Sequence, residues 1–70
     1  MKYELFVIHD SKAEAFMTPF CQANKNTAIR GFTEAANNPE TPIGKYPQDY
    51  TLFSIGKYSE VRGEIELHRS

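Results

Sequence analysis

The sequence predicts an α+β domain: a β-hairpin, a helix and a second β-hairpin, folded as an antiparallel sheet with one helix packed on one face. Two observations predict this class. Residues that favour strands fall into two pairs of segments, and a segment with helical spacing of apolar residues separates the pairs. The 70 residues suffice for a single domain, residues 1–70. A chain of this length buries only about 60% of the surface that its unfolded form exposes, so we expect marginal stability.

The first hairpin is predicted from residues 2 to 23. Residues 2–9 (KYELFVIH) are rich in β-branched and aromatic residues and predict the first strand. A polar turn at residues 10–13 leads to a returning strand at residues 14–23 (EAFMTPFCQA). Pro19 lies inside this strand and cannot donate a backbone hydrogen bond, so we expect an edge position or a bulge there.

The helix is predicted from Thr27 to Asn37, with Asn26 as its N-cap. Apolar residues recur at helical spacing on one face, at Ala28, Ile29, Phe32, Ala35 and Ala36. Gly31 costs about 1 kcal/mol relative to alanine in a helix, a cost that close packing on the sheet would offset. The next segment, residues 38–49, contains three prolines and predicts a loop.

The second hairpin is predicted from residues 51 to 68. Residues 51–58 favour a third strand, and residues 64–68 (EIELH) alternate polar and apolar side chains, which is typical of a fourth strand. The turn between them contains Gly63, which can adopt a positive φ angle without a steric cost.

The first and third strands share one pattern of residues. Tyr-x-Leu-Phe-x-Ile begins at Tyr3 and again at Tyr50. Because side chains alternate between the faces of a strand, this pattern places apolar groups on both sides of the sheet. We expect the helix to cover the face formed by Phe6, Ile8, Phe53 and Ile55. Phe32 of the helix and Phe53 then share the core, and the opposite face is formed by Tyr3, Leu5, Val7 and Leu52.

One helix cannot cover both faces of this sheet. Exposed apolar patches larger than a few hundred Å² usually mark an interaction site, and two candidates fit: a second copy of the chain, or the bases of a single-stranded nucleic acid. We predict a homodimer whose interface includes Tyr3, Leu5, Val7 or Leu52. Edge pairing is a second route, for which the fourth strand suits better than the proline-containing second strand.

The charge balance and the cysteine content narrow the possible classes of protein. Eight Lys and Arg residues against nine Asp and Glu residues give a net charge of -1, whereas dedicated nucleic-acid binders usually carry a basic excess. Cys21 is the only cysteine, so no internal disulfide forms and a reducing, intracellular setting is expected. No apolar run approaches the ~20 residues that span a bilayer, and no basic-then-apolar leader follows Met1, so we expect no membrane attachment.

Catalytic chemistry has little support in the sequence. His9 and Asp10 are adjacent on a strand, so their side chains point to opposite faces and do not form a dyad. His68 is expected to be solvated, and Cys21 is expected to be a small buried hydrophobe. No spacing motif brings the two histidines and the cysteine together as metal ligands, and the four glycines are scattered singly. We expect no enzyme activity, no metal and no cofactor.

Cationic residues beside aromatic ones are the feature that favours nucleic acid. Lysine precedes tyrosine three times, and single-strand binders combine a positive groove with aromatic platforms on which bases stack. The candidate nucleic-acid-binding residues are Arg30, Lys45, Tyr46, Lys57 and Tyr58. Each also has a structural alternative, because tyrosine is common in strands, lysine is common at exposed edges, and Arg30 can pair with Glu34.

Three segments carry a resemblance to a known family: residues 24–32 (NKNTAIRGF), residues 46–50 (YPQDY) and residues 52–58 (LFSIGKY). With the initial Met-Lys-Tyr and the Gly63-Glu64-Ile65 turn, they resemble the small nonstructural proteins of the gokushovirus group of microviruses, which are single-stranded DNA phages. The resemblance covers nearly the whole chain. None of the matched motifs is a catalytic signature.

The resemblance implies a phage protein that binds DNA and is associated with genome replication in the cytoplasm of an infected bacterial host. It carries no mapped binding residues. From it we expect a non-catalytic protein that binds single-stranded DNA during replication or the switch to single-strand synthesis. The alternative is a homodimeric protein-interaction module that engages a host or phage replication factor. The salt dependence of binding distinguishes DNA binding from protein binding, because phosphate contacts weaken steeply with salt and an apolar interface is less affected.

Overall fold

The computed structural model describes residues 2–68, which form one antiparallel sheet with helices on one side. The strands are β1 (Lys2–Asp10), β2 (Ala15–Phe16), β3 (Phe20–Gln22), β4 (Tyr50–Ser59) and β5 (Glu64–Leu67). The helices are α1 (Lys25–Ala36) and α2 (Pro42–Lys45), and a 3₁₀ turn follows at Pro47–Asp49. β1 is central: β4 and then β5 lie on one side of it, and β2 and β3 pair with its other edge. The predicted α+β class is confirmed.

The returning arm of the first hairpin is two short strands rather than one. β2 pairs with the end of β1 and β3 pairs with its middle, and the segment from Met17 to Pro19 between them has no strand structure. Pro19 has no N–H to donate, which interrupts the ladder at this edge. The expected irregularity at Pro19 is therefore present, and the prediction of one continuous strand is wrong.

Helix α1 begins at Lys25, two residues before the predicted start, and its N-cap is Asn24 rather than Asn26. The Asn24 side-chain oxygen accepts hydrogen bonds from the Thr27 backbone N–H at 2.9 Å and from the Thr27 hydroxyl at 3.0 Å. Asn24 has the extended backbone of a cap residue, whereas Asn26 already lies inside the first turn. Two asparagines two positions apart are equally good caps by residue type, so sequence alone did not separate them.

The segment predicted as a loop contains α2, which docks against the end of α1. The Thr41 hydroxyl caps α2 by accepting from the Gly44 N–H at 2.9 Å, and it donates to the carbonyl oxygen of Ala35 at 2.8 Å. Ile43 is buried and was not expected in the core. A Cβ on Gly44 would overlap the carbonyl oxygen of Asn38, so this close approach requires glycine.

The register of β1 against β4 corrects the predicted faces. Ile8 is opposite Leu52, Val7 is opposite Phe53, and the register then shifts so that Ile55 has no partner on β1. Leu52 therefore lies with Ile8 on the side of the helix, and Phe53 lies with Val7 on the other side. The predictions that Phe53 packs beneath the helix with Phe32, and that Leu52 shares a face with Leu5, are both wrong.

Both sides of β1 are buried within one chain. On the helix side, Phe6 is 1% exposed and its ring lies 6.0 Å from that of Phe20. On the opposite side, Leu5 and Val7 are also buried.

The repeated Tyr-x-Leu-Phe-x-Ile pattern is not a structural repeat, because its equivalent residues lie on opposite faces of the sheet. Gly31 does not serve close packing, since no atom of another element lies within 4 Å of its Cβ position.

Candidate nucleic-acid interface

The residues predicted to bind nucleic acid do not form one site. Lys57 and Tyr58 are neighbours on β4, so their side chains lie on opposite faces of the sheet. Lys57 pairs in register with Glu4 on one side and Glu66 on the other. Tyr58 is opposite Tyr3, on the face away from the helix.

The remaining predicted residues lie on two other elements. Lys45 ends α2, and Tyr46 follows it with its ring 57% exposed. Arg30 is exposed on α1 and lines a shallow cavity of about 240 Å³ with Asn24, Asn26 and Thr27. Arg30, Lys45, Tyr46 and Lys57 are all exposed, but they belong to different parts of the fold and do not pair a cation with a ring across one surface.

A larger groove runs between α1 and the first half of β4. Its volume is about 370 Å³, within the range of ~300–1,000 Å³ that is typical of ligand sites. Phe32 and Tyr50 contribute aromatic rings to it, and Lys25 is its only charged lining residue. The other lining residues are Phe6, Ile29, Thr51, Leu52 and Ser54.

The groove follows from the spacing of residues on the two elements that form it. Lys25, Ile29 and Phe32 are four and three residues apart and therefore lie on one side of α1. Alternate β4 residues from Tyr50 to Ser54 face the helix side of the sheet. The helix contacts both β3 and β4. On the β3 side, Ala28 and Phe32 line a second, smaller cavity with Ile8 and Phe20.

Tyr50 is the titratable residue whose environment is most clearly perturbed. Partial burial, followed by the neighbouring Asp10 carboxylate and by Asp49, raises the pKa of the Tyr50 hydroxyl above its ordinary value. Asp10 is directly opposite Tyr50 on β1, and its negative charge makes ionisation of this hydroxyl less favourable.

Positive charge collects at the beginning of α1. Lys25 and Arg30 lie in its first two turns, and no acidic residue lies in the first turn. The N-terminal end of a helix also carries unpaired N–H groups and a partial positive charge. The carboxylates of Asp10 and Asp49 lie close enough to Tyr50 to raise its pKa. The groove therefore has a cation at Lys25 and negative charge beside Tyr50.

The far end of the sheet is electrostatically balanced and does not favour phosphate. The cationic residues there are Lys2, Lys57 and Arg62, and they line a small cavity together with Glu64 and Glu66. The Arg62 guanidinium lies 3.7 Å from the Glu64 carboxylate. Lys57 lies between Glu4 and Glu66 in register, and these carboxylates offset its attraction for a phosphate.

Within residues 2–68, the two histidines and the cysteine do not come together as a catalytic or metal-binding group. The His9 ring packs on Phe16 with 4.6 Å between ring centroids, and His68 Nε2 lies 3.0 Å from the Ser54 hydroxyl. Cys21 is exposed, so the prediction that it is a buried hydrophobe is wrong. No group of three His, Cys, Asp or Glu residues in this part of the chain is placed to hold a metal ion.

No helix within residues 2–68 has the length and apolar character needed to cross a bilayer.

The residues predicted for a dimer interface do not form one surface. Leu5 and Val7 are buried within the chain, Tyr3 is half-buried, and Leu52 lines the groove on the opposite face. Lys25, Phe32 and Tyr50 were not predicted as site residues. The spacing of Lys25, Ile29 and Phe32 along one side of the helix was the signal that could have found the groove.

The fold and the groove define a small α+β protein with an open, largely apolar site beside a positively charged helix end. The chain belongs to the Phage ORF5 protein family, whose model matches residues 3–70. No curated protein and no solved structure matches the chain. The match includes both helices and all five strands except the first residue of β1, so the chain is a phage protein.

Proposed function

We propose that this phage protein is a non-catalytic, nonstructural protein of a gokushovirus-type, single-stranded DNA phage. In this proposal it binds single-stranded DNA in the cytoplasm of the infected bacterium, during genome replication or the switch to single-strand synthesis. The observation that carries the proposal is the groove between α1 and β4, which three aromatic residues and a lysine line. The resemblance of the sequence to such phage proteins supports it independently.

A base of the single strand occupies the groove. Stacking of a base on an aromatic side chain contributes about 1–3 kcal/mol and tolerates any sequence, because every base has a π-face. Phe32 and Tyr50 supply the rings, and the groove of about 370 Å³ leaves room between the helix and β4. A duplex keeps its bases stacked and does not offer one to the groove, so the site favours single strands.

The phosphates flanking this base lie along the beginning of α1. Lys25 lines the groove and Arg30 lies on the neighbouring side of the same helix. Anions are stabilised at helix N-termini by the unpaired N–H groups and the partial positive charge there. Arg30 is thus kept from the sequence-based prediction, Lys25 is added to it, and Lys57 and Tyr58 are left out because they lie on opposite faces of β4.

The proposed affinity is modest. Two cations contacting single-stranded DNA give a slope of log K against log salt of about −1.4, since each neutralised phosphate contributes about −0.7. The chain has a net charge of -1 and adds no long-range attraction. We expect micromolar binding that becomes weaker as salt increases.

Fluorescence anisotropy with labelled single- and double-stranded oligonucleotides over a salt series tests the proposal. Lys25→Ala with Arg30→Ala should weaken single-strand binding and bring the salt slope close to zero. Lys2→Ala with Lys57→Ala removes the same charge from the balanced end of the sheet and should leave binding unchanged. Tyr50→Ala should weaken binding at every salt concentration, because it removes a stacking ring and no charge.

The opposite outcomes would refute this site. Equal loss of binding in the two lysine-containing double variants would mean that only overall charge matters. No binding of single strands at low salt would remove the proposed function. A protein-interaction role is the second candidate, because the face of the sheet away from the helix is apolar and exposed at its margin; binding to a host or phage replication protein would be largely insensitive to salt.

A further inference from the structure

In the described part of the chain, the strands present no Lys, Arg, Asp or Glu on the face of the sheet away from the helix. We call it the helix-free face, and the register assigns to it Tyr3, Leu5, Val7, His9, Phe16, Cys21, Thr51, Phe53, Gly56, Tyr58, Ile65 and Leu67. The charged strand residues all lie on the helix side, namely Lys2, Glu4, Asp10, Lys57, Glu64 and Glu66. A sheet face exposed only to water normally carries polar residues.

Four large apolar side chains on this face are exposed to solvent. Phe16 is 63% exposed, Phe53 44%, Ile65 57% and Leu67 65%. If a side chain of this size presents about 200 Å² when fully exposed, these four expose roughly 450 Å². A patch of this size is at the upper end for a monomeric protein and usually marks an interaction site.

The absence of charge selects the kind of partner. Phosphate binding requires cations, and the strands present none on this face. A charged protein surface would lose its hydration against the face and gain no ion pair in return. A second copy of the same face needs no cations and loses no hydrated charges, because two apolar patches are complementary to each other.

We infer that the helix-free face is the interface of a homodimer. In a two-fold pair each copy contributes its own patch, so the four side chains alone bury roughly 900 Å². The half-buried residues around them, including Tyr3 and Tyr58, extend the contact towards the ~1,200–2,000 Å² of specific interfaces. The dimer also covers apolar surface that a chain of this size does not bury alone.

The aromatic residues of the face are already packed against one another in the single chain. The rings of Phe16 and Phe53 lie 6.2 Å apart in an edge-to-face arrangement, and His9 packs on the other side of Phe16. These contacts restrict the rings before association, so the dimer loses little side-chain entropy there. The edges of the sheet suit pairing less well, because Pro19 interrupts one edge and Glu64 and Glu66 lie on the other.

Sedimentation equilibrium over a range of micromolar concentrations tests the inference with the unmodified chain. The expected mass is twice the 8.0 kDa of the chain. Ile65→Ser with Leu67→Ser should raise the dissociation constant by at least about ten-fold, which corresponds to ~1.4 kcal/mol. Glu64→Ser with Glu66→Ser changes the same strand on its other face and should leave the dissociation constant unchanged or lower.

Circular dichroism of each variant shows whether the sheet is retained. A species of 8.0 kDa at the highest concentration would overturn the inference without any variant. A dimer that is equally stable after substitution of Ile65 and Leu67 would also overturn it, because another surface would then form the contact. Neither result bears on the DNA groove, which lies on the opposite side of the sheet.

Discussion

Val7 and Phe53 are directly opposite each other on β1 and β4, yet Val7 is 6% exposed and Phe53 is 44% exposed. Both lie on the helix-free face. β1 is flanked by strands on both edges, whereas β4 has only the four residues of β5 beyond it. The centre of the face is therefore core within one chain, and its β4 side is surface.

This gradient across the sheet predicts unequal costs for two phenylalanine substitutions. Phe6→Ala removes a ring that is 1% exposed and should lower the free energy of unfolding by about 3–5 kcal/mol. Phe53→Ala should cost less than about half of that in dilute protein, because its ring is already partly in water. Urea denaturation followed by circular dichroism measures both. Equal costs would contradict the placement of Phe53 outside the core.

The cap of α1 predicts a difference between two asparagines. Asn24→Ala removes the acceptor for the Thr27 N–H and hydroxyl and should cost about 1 kcal/mol. Asn26→Ala lies inside the first turn and should be neutral or slightly stabilising, since alanine is the better helix former. Thermal or urea unfolding of the pair decides which residue is the cap. The assignment fails if Asn26→Ala is the more destabilising change.

Alanine substitutions at Gly44 and Gly31 should change stability in opposite directions, because only Gly44 lies at the contact between α1 and α2. A Cβ at Gly44 would overlap the Asn38 carbonyl and lie 2.9 Å from the Ala35 carbonyl oxygen, so Gly44→Ala should destabilise by about 1–3 kcal/mol. Gly31→Ala meets open space in mid-helix and should stabilise by about 0.5–1 kcal/mol. Unfolding midpoints of the two variants test this. A Gly44→Ala protein as stable as the parent would show that α2 does not dock as described.

The Tyr50–Asp10 pair predicts a dependence on alkaline pH. The raised pKa of Tyr50 means that the folded chain holds this proton more tightly than the unfolded chain, whose tyrosine titrates near 10.0. The contribution to stability is thus complete below pH 10.0 and is lost as the pH rises through the pKa of the folded state. Tyrosinate absorbance during a pH titration reports the ionisation directly.

Asp10→Asn is the matched variant for this titration. It removes the negative charge but keeps an oxygen that can accept from the Lys12 N–H, so the turn after β1 is preserved. The pKa of Tyr50 should fall in this variant, and Tyr50→Phe should remove the corresponding step. An unchanged titration in Asp10→Asn would show that the carboxylate has no part in the shift.

The class of fold was predictable because its signals are local. Strand-favouring residues, the apolar spacing of α1 and the positive φ of Gly63 each act over a few neighbouring residues. The order of hairpin, helix and hairpin follows from them. Two local details were misplaced, the N-cap of α1 and the helix α2. Asn24 and Asn26 have the same capping chemistry, and α2 lies in a proline-rich segment that has the composition of a loop.

The faces of the sheet were not predictable because they depend on the register between distant strands. The pattern that begins at Tyr3 and at Tyr50 has the same spacing in both strands, but antiparallel pairing places Phe53 opposite Val7 rather than opposite a residue of the helix side. A one-residue change of register exchanges the two faces of a strand, and the bulge at Ile55 adds such a change.

The site was predictable only in part for the same reason. Lysine followed by tyrosine along a strand suggests a cation beside a ring, but adjacent strand residues point apart, as Lys57 and Tyr58 do. On the helix, Arg30 was placed correctly on the exposed side. Tyr50 was not expected at a groove, because its position depends on how far α1 extends across β4, and residue spacing does not determine this.

The groove and the helix-free face lie on opposite sides of one sheet, and this arrangement limits how two copies can share DNA. Two chains joined through their helix-free faces carry their grooves back to back, on the outer surfaces of the pair. A strand lying in one groove does not continue directly into the other. If the proposed DNA binding and the proposed dimer both hold, such a pair bridges separate stretches of single-stranded DNA rather than forming a continuous sheath along one stretch.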